Sequence, residues 1–380
     1  MNLSTNITLT HKTTLRLLAL ALGNDVPFDI PLREVDWPTL IQYAMAQGLD
    51  AMTFDGIQAL YERQPELNSE LDESLGETKF DWLGLTLQAE QDYERQWKSF
   101  VELDKAFRAE GIRMLVLKGF LFNECYPNPH HRSSCDIDCF LMGEGPVMDE
   151  GAYERGNQLM ESRGIAVDRS YYKNSSFSFL GTNVENHRFC TAFRVSRRWK
   201  EFEMLLQRLL KEADEFRTVE NTGVLIGPAL FNALFMTRHA QVHFLVENGI
   251  SLRHVCDWGM FLRRYGKELD WSEFMSICER FGMDRFAFHL TRLAVRICGD
   301  PGIDGLDLVV ERLDEPEQRM LNDILTIGER AGKRDGRLSI ARSILRSSWK
   351  FRLFSDESSL RCLWQFVRGY FFDRTPTLNN

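Results

Sequence analysis

Two acidic residues separated by one apolar residue are the clearest candidates for chemistry in this sequence. Asp136 and Asp138 flank Ile137 in the segment Cys135 to Leu141, where the apolar pattern predicts a β-strand. Residues i and i+2 of a strand point to the same face, so both carboxylates project together. Such carboxylates repel each other unless a cation lies between them, and all-oxygen ligation suits Mg²⁺. The pair therefore predicts a metal site for phosphoryl or nucleotidyl transfer.

A lysine and a glycine upstream strengthen this prediction. Lys118 and Gly119 follow the apolar run Met114 to Leu117, which reads as a short buried strand, and they precede a short predicted helix. Glycine lets the backbone approach a phosphate closely, and the start of a helix offers free N–H groups and a positive dipole end. Lys118 adds a positive charge for a triphosphate. Arg132, four residues before Asp136, is expected to reach the same phosphate.

These residues resemble the signature of the uncharacterised bacterial nucleotidyltransferase family, a branch of the DNA polymerase β-type nucleotidyltransferase superfamily. The resemblance extends roughly from Leu115 to Asp257, and its motifs are specific in combination only. It is carried by Leu117-Lys118-Gly119, Tyr126-Pro127, Arg132, Asp136-Ile137-Asp138, Val184-Glu185-Asn186-His187 and the stretch from Leu252 to Trp258.

The resemblance implies an activity and the residues that carry it. Asp136 and Asp138 would hold the Mg²⁺ of an NTP, with Mn²⁺ as the alternative ion. Together with Glu185, the third catalytic carboxylate, they would hold a second metal that activates an acceptor hydroxyl. That hydroxyl would attack the α-phosphate and release pyrophosphate. The implied nucleotide-binding residues are Lys118, Gly119, Phe120, Arg132 and His187.

Two positions depart from the superfamily pattern, and they keep a second interpretation open. Phe120 stands where the superfamily has Ser, so any hydroxyl contact to phosphate is lost, and the third acid is Glu185 instead of Asp. The alternative is a catalytically inactive protein that retains the fold and binds a nucleotide or a partner. Geometry separates the two interpretations, because catalysis requires the three carboxylates to converge in an open cleft.

The periodicity of the chain predicts an α+β fold in which a small mixed sheet with helices is flanked by helical regions. Residues 1–110 form a predicted N-terminal helical region and residues 221–380 a C-terminal one. Residues 111–220 form the predicted nucleotidyltransferase-like α/β core. Within this core, the segments from Tyr171 to Leu180 and from Val184 to Phe193 alternate polar and apolar residues and predict an antiparallel hairpin.

Charge limits the choice of acceptor without fixing it. The net charge is −9, which disfavours a dedicated nucleic-acid binder and favours a small-molecule or protein acceptor. Residues 331–380 carry ten Lys or Arg and four Asp or Glu, a local balance of +6, so a polyanionic acceptor such as a nucleic acid stays open. These charges also suit ordinary solvated helix faces.

The remaining patterns indicate a cytoplasmic protein. No window is long and apolar enough for a membrane span, and the N-terminus lacks the order typical of a signal peptide. The eight cysteines include no Cys-x-x-Cys pair and are expected to be reduced and mostly buried. His239, His243 and Glu247 have helical spacing that allows a zinc site, although packing is the more common role of such residues.

Overall fold

The fold is described from a computed structural model of the chain. The description covers residues 7–134, 136–143, 150–193, 196–247, 249–303, 313–327 and 337–371. Cys135, at the start of the predicted acidic strand, lies outside this set.

The chain begins with a helical region, as its periodicity predicts. The five helices, α1 to α5, are Leu9–Ala21, Trp37–Gln47, Asp50–Arg63, Asn68–Leu75 and Thr78–Arg108. Helix α2 starts where expected, because the Asp36 side chain accepts a hydrogen bond from the Thr39 amide. Part of this region has its own apolar cluster, in which Trp37 and Trp82 are almost completely buried. Helix α5 then leads directly into the sheet.

A six-stranded mixed sheet lies at the centre of the fold. Its strands, β1 to β6, are Arg113–Val116, Asp136–Met142, Asn174–Phe179, Thr182–His187, Arg217–Thr218 and Leu225–Ile226. They are ordered β3-β4-β2-β1-β6-β5 across the sheet. Strand β1 is antiparallel to β2 and parallel to β6, whereas β2 is parallel to β4. The sheet and its flanking helices confirm the predicted α+β class.

The register between β2 and β4 positions the acidic residues. Asp138 is paired with Glu185, and Asp136 is paired with Asn183. Paired residues on adjacent strands project to the same face, so the parallel register brings the Asp138 and Glu185 side chains to one side of the sheet. On the opposite face, Ile137 and Cys139 are buried in the core.

The predicted hairpin is confirmed, with different strand ends. Strands β3 and β4 pair antiparallel from Asn174 opposite His187 to Phe179 opposite Thr182. Leu180 and Gly181 both have positive φ, of 48° and 80°, which is typical of the tight turns that join hairpin strands. Strand β4 therefore begins two residues earlier than the alternating pattern indicates and ends at His187.

Three further helices accompany the sheet, and one stretch of the chain differs from its prediction. These helices, α6 to α8, are Phe120–Asn123, Glu150–Ser162 and Arg197–Lys211. The sequence predicts a purely helical region from residue 221, but β5 and β6 follow α8 and extend the sheet to residue 226. Two-residue strands are too short to produce a recognisable period, which explains why they were not predicted.

The last part of the described chain is helical. Its helices, α9 to α16, are Ala229–Leu245, Leu252–Tyr265, Trp271–Phe281, Asp284–Cys298, Glu315–Leu325, Arg337–Arg346, Ser348–Phe354 and Ser359–Phe371. A single apolar cluster joins residues of the sheet to residues of these helices. The three-part division at residues 110 and 220 stays a prediction, and the sheet itself continues past residue 220.

Several smaller expectations concern the same regions. None of the described helices combines the length and the apolarity that crossing a membrane requires. Cys125, Cys139, Cys190, Cys256, Cys278 and Cys298 are buried free thiols, as expected. Much of the basic segment 331–380 lies outside the described residues, but Lys350 within it is buried and paired with Asp323. At least one of its charges therefore stabilises the fold instead of facing a partner.

Candidate active site

The turn after β1 depends on a glycine. The Leu117 amide donates to the Asp138 carbonyl at 3.0 Å, which ties the end of β1 to β2. Gly119 then adopts φ +66° and ψ −110°, a conformation that L side chains rarely adopt. A Cβ at this position would lie 3.3 Å from the Asp136 carbonyl oxygen. The amides of Gly119 and Phe120 donate to no acceptor among the described residues, so both are available to a ligand.

Phe120 contributes backbone to the site and its side chain to the core. It is the first residue of α6, and its side chain is 1% exposed. Its ring packs against Phe100 of α5, with the ring centroids 4.6 Å apart. The residue that replaces the superfamily serine therefore anchors the short helix through apolar packing.

The two aspartates of β2 surround a lysine ammonium. Lys118 Nζ lies 3.0 Å from Asp138 Oδ2 and 3.7 Å from Asp136 Oδ2. Burial disfavours the charge of Lys118, but attraction to both aspartates outweighs it and raises the lysine pKa. The pKa of an acid beside a lysine is usually lowered, but that of Asp136 is raised. Burial and repulsion from Asp138 raise its pKa despite the nearby lysine.

Asp138 is shared between two groups of neighbours. Its Oδ2 faces Lys118, whereas its Oδ1 lies 3.0 Å from His187 Nε2. The same His187 nitrogen is 3.4 Å from Glu185 Oε2. Burial alone would raise the pKa of Asp138, but the hydrogen bond from His187 and the charge of Lys118 hold it below its ordinary value. Asp138 is therefore ionised although its side chain is fully buried.

These residues form a donor set that fits a divalent cation. Asp138, Glu185 and His187 each offer one ligand atom, and these three atoms lie within 4.8 Å of one another. The buried Asp138 Oδ2 makes no hydrogen bond of normal geometry, although the Lys118 ammonium is close to it. A cation would satisfy this oxygen with a stronger and less directional interaction. Asp136 is outside the three-residue group and contacts the site through its Lys118 neighbour.

Arg132 is bound to a different acid. Its Nε and Nη2 donate to the two oxygens of Asp257, at 2.7 and 2.9 Å, and its Nη1 donates to Asn123 at 3.1 Å. The Tyr126 hydroxyl donates to the same carboxylate at 2.7 Å. This bidentate pair, which we call the Arg132–Asp257 clamp, joins the loop before β2 to α10. The contact of Arg132 with a phosphate stays a prediction. The geometry does not favour it, because Arg132 donates to Asp257 and Asn123 instead.

A cleft connects the acidic residues to the helices that follow the sheet. It contains about 660 Å³ of space, part of which is open to solvent. One side is formed by Lys118, Gly119 and Asp136. The opposite wall belongs to α9 and α10, whose polar contributions are His239, Arg253, His254 and Asp257.

The two cleft histidines are neutral imidazoles. The Ser251 amide donates to His254 Nδ1, so this nitrogen carries no proton and Nε2 carries it. Burial, Arg253 and His243 lower the pKa of His254 to about 3. Burial and the neighbouring basic residues also lower the pKa of His239 well below its ordinary value. Neither ring forms an ion pair among the described residues, and both residues line the cleft.

The zinc site considered at His239, His243 and Glu247 does not form. His243 Nδ1 is 2.7 Å from Glu247, but His239 takes no part in any three-ligand group found among the described residues. A second such group, His289 with Asp314 and Glu317, is closed by the Arg292 guanidinium, which contacts Glu317. Asp314 and Glu317 form the capping box of α13, and Glu317 forms a buried ion pair with Arg292.

The structure therefore brings together most of the residues named from sequence. Asp136, Asp138, Glu185, Lys118 and His187 form one polar cluster beside the Gly119 turn, and Arg132 is turned toward Asp257 instead. Sequence reasoning missed Lys173, a half-buried lysine whose neighbours include Asp138 and Glu185, and desolvation lowers its pKa. It also missed the wall formed by α9 and α10. The stretch from Leu252 to Trp258 gave the available signal, since it supplies Arg253, His254 and Asp257.

Comparison with known proteins agrees with this geometry. The profile of a family described as an uncharacterised nucleotidyltransferase matches residues 33–299, which is more than half of the chain. The chain belongs to this nucleotidyltransferase family. No curated protein and no solved structure matches the sequence.

Proposed function

Starting from membership of this family, we propose that the protein transfers a nucleoside monophosphate from an NTP to an acceptor hydroxyl in a Mg²⁺-dependent reaction. The carrying observation is the register of β2 and β4, which pairs Asp138 with Glu185. It supports the active interpretation over an inactive fold, because it brings Glu185 beside Asp138, while Asp136 adjoins Asp138 through Lys118. In this proposal, Asp136, Asp138 and Glu185 are the catalytic carboxylates.

The nucleotide is bound by the turn after β1. The amides of Gly119 and Phe120, which have no acceptor among the described residues, and the ammonium of Lys118 suit the β- and γ-phosphates of an NTP. The bound Mg²⁺ supplies Lewis-acid stabilisation of the developing charge. The chain itself orients the triphosphate and holds Asp138 ionised, so that the carboxylate is ready for a cation.

The acceptor reaches the α-phosphate through the cleft. The wall combines two neutral imidazoles with Arg253, and the charge of its Asp257 is balanced by Arg132, so it attracts a neutral or anionic group more than a cationic one. The net charge of −9 supports a small molecule, or one side chain of a protein, over a nucleic acid. Polycationic acceptors such as aminoglycosides are disfavoured by this wall.

Nucleotide binding is tested by thermal shift with each of the four NTPs and Mg²⁺. The wild-type protein is expected to be stabilised by at least one NTP, because binding to the native state alone raises the melting temperature. The control variant is Asp136→Ala/Asp138→Ala, with Asp168→Ala as a matched surface substitution. Asp168 is an exposed aspartate in the segment before β3.

The expected pattern is selective. The Asp168→Ala protein should keep the full metal-dependent shift, and the double variant should lose it. Equal shifts in the wild type and the double variant would contradict metal-dependent nucleotide binding at β2.

A further inference from the structure

His187 occupies a place in the site that its predicted role in nucleotide binding does not explain. Its side chain is 1% exposed, so it is buried beneath the site and not spread over its surface. Its Nε2 is directed at Asp138 Oδ1 and Glu185 Oε2, at 3.0 and 3.4 Å. Both of these oxygens belong to proposed catalytic carboxylates. His187 Nε2 therefore contacts the two carboxylates rather than a bound nucleotide.

We propose that His187 Nε2 is a direct metal ligand, and that together with Asp138 Oδ1 and Glu185 Oε2 it forms a position that prefers Mn²⁺ to Mg²⁺. This inference rests on the proposed metal-dependent function and specifies its second metal position. The other oxygen of Asp138, with Asp136, remains for the metal that accompanies the nucleotide.

The spacing of the three atoms fits one ion. Octahedral ligands about 2.1–2.2 Å from a metal lie about 3.0 Å apart when they are neighbours. The two distances from His187 Nε2, 3.0 and 3.4 Å, are close to this edge length. The three ligand atoms already lie within 4.8 Å of one another, so an ion would enter this position through side-chain adjustments alone.

The second nitrogen of His187 is held as metal-bound histidines usually are. His187 Nδ1 lies 3.3 Å from the Phe189 carbonyl oxygen, which can only accept a hydrogen bond. With Nδ1–H donating to this carbonyl, Nε2 is the ligating nitrogen, and the Nε2 proton that bonds Asp138 in the absence of a metal would be released when the ion binds. Such an outer contact fixes the ring orientation and raises the basicity of the ligating nitrogen.

The mixed donor set is the reason for the metal preference. Mg²⁺ binds oxygen ligands almost exclusively, whereas Mn²⁺ accepts carboxylates and also tolerates an imidazole. Two carboxylates retain affinity for both ions, and the nitrogen adds affinity mainly for Mn²⁺. Zn²⁺ also binds imidazole, so competition between the two ions belongs to the test.

Electron spin echo spectroscopy of the Mn²⁺-loaded protein tests the assignment directly. A histidine nitrogen coordinated to Mn²⁺ produces ¹⁴N modulation, and ¹⁵N-histidine labelling must shift its frequencies. We expect this signal in the wild type and in His254→Gln, whose ring lines the cleft. We expect its loss in His187→Gln, together with a fall of about tenfold or more in Mn²⁺ affinity by titration calorimetry and a much smaller change for Mg²⁺.

The outcomes separate this inference from the proposed function. Mn²⁺ that binds in an Asp138-dependent manner without ¹⁴N modulation would overturn the histidine ligand and leave the metal-dependent transferase intact. Absence of any Asp138-dependent Mn²⁺ binding would overturn both. Tighter binding of Zn²⁺ than of Mn²⁺ at this position would overturn the stated preference. If His187→Gln fails to fold, Asp138→Asn locates the ligand, because loss of the ¹⁴N modulation in that variant places the coordinating histidine at the ion held by Asp138.

Discussion

Two buried ion pairs lie within the same part of the fold and are built differently. Lys118 approaches Asp138 with a single ammonium, at 3.0 Å, and leaves Asp138 Oδ2 without a well-aligned hydrogen bond. Arg132 contacts both oxygens of Asp257, which also receives the Tyr126 hydroxyl. The lysine remains 26% exposed, whereas the arginine side chain is only 4% exposed.

The difference indicates which of the two basic side chains a metal ion can displace from its carboxylate. A flexible lysine with one short contact can be replaced by a metal ion without leaving a cavity. A bidentate arginine pair with a third donor loses several interactions at once when it opens. We therefore interpret Lys118 as a placeholder cation at the reactive carboxylates and the Arg132–Asp257 clamp as a fixed support that joins the sheet to α10.

The largest expected effect comes from removing the shared carboxylate. Asp138→Asn keeps the shape of the side chain but removes the charge that attracts metal and lysine. Metal stabilisation supplies several kcal/mol to such reactions, so nucleotidyl transfer should fall by about a thousandfold or more. Initial rates with radiolabelled NTP provide the measurement, and circular dichroism checks the fold. A variant with more than a tenth of the wild-type rate would show that Asp138 is not a catalytic ligand.

Breaking the Arg132–Asp257 clamp should lower the free energy of unfolding. Arg132→Met leaves Asp257 charged, buried and without its main partner, which costs about 3–5 kcal/mol in comparable buried pairs. Urea unfolding measures this loss. The double variant Arg132→Met/Asp257→Leu should recover most of it, because no charge is then left unpaired. A wild-type free energy of unfolding for the single variant would show that the clamp does not support the fold.

Lys118 should respond through binding, in opposite directions for two ligands. In Lys118→Met, metal no longer competes with an ammonium, so Mn²⁺ affinity without nucleotide should rise by about tenfold, or ~1.4 kcal/mol. NTP affinity should fall by a similar factor, because the triphosphate loses a charged donor. Titration calorimetry measures both constants. If both affinities fall together, Lys118 supports the site structurally and is not a placeholder.

The smallest effect concerns the neutral wall of the cleft. The folded-state pKa of His254 is about 3, below the unfolded value near 6.5, so the unfolded chain takes up a proton first as pH falls. This histidine therefore lowers stability progressively between about pH 6.5 and pH 3. His254→Gln should reduce that slope by at most about 1.4 kcal/mol per pH unit. Unfolding curves at pH 7, 6 and 5 measure it, and identical slopes would mean that His254 is protonated in the fold.

The sequence predicted the local parts of the site better than the distant ones. Asp136 and Asp138 on one strand, and Lys118-Gly119 at the end of another, follow from short-range patterns and the special freedom of glycine. The partnership of Arg132 with Asp257 joins residues 125 positions apart, and no local pattern encodes it. The wall contributed by His239 was also inaccessible, because helical spacing indicates a face but not what that face meets.

Strand register sets the same limit within the sheet. Alternation predicted the β3–β4 hairpin, since a tight turn fixes which residues pair. The parallel pairing of β2 with β4, which brings Glu185 opposite Asp138, depends on the crossover between them and came from the family resemblance. Strands β5 and β6 were missed, because two residues carry no period.

The central claim, that this site breaks the bond between the α- and β-phosphates, is tested most directly with substituted NTPs. The protein is incubated with Mg²⁺, a small-molecule and protein extract as the acceptor source, and NTP labelled at the α-phosphate. We expect label transfer that depends on Asp138, persists with β,γ-methylene NTP and stops with α,β-methylene NTP. Loss of transfer with the β,γ-methylene analogue, accompanied by release of the γ-phosphate from ordinary NTP, would contradict nucleotidyl transfer.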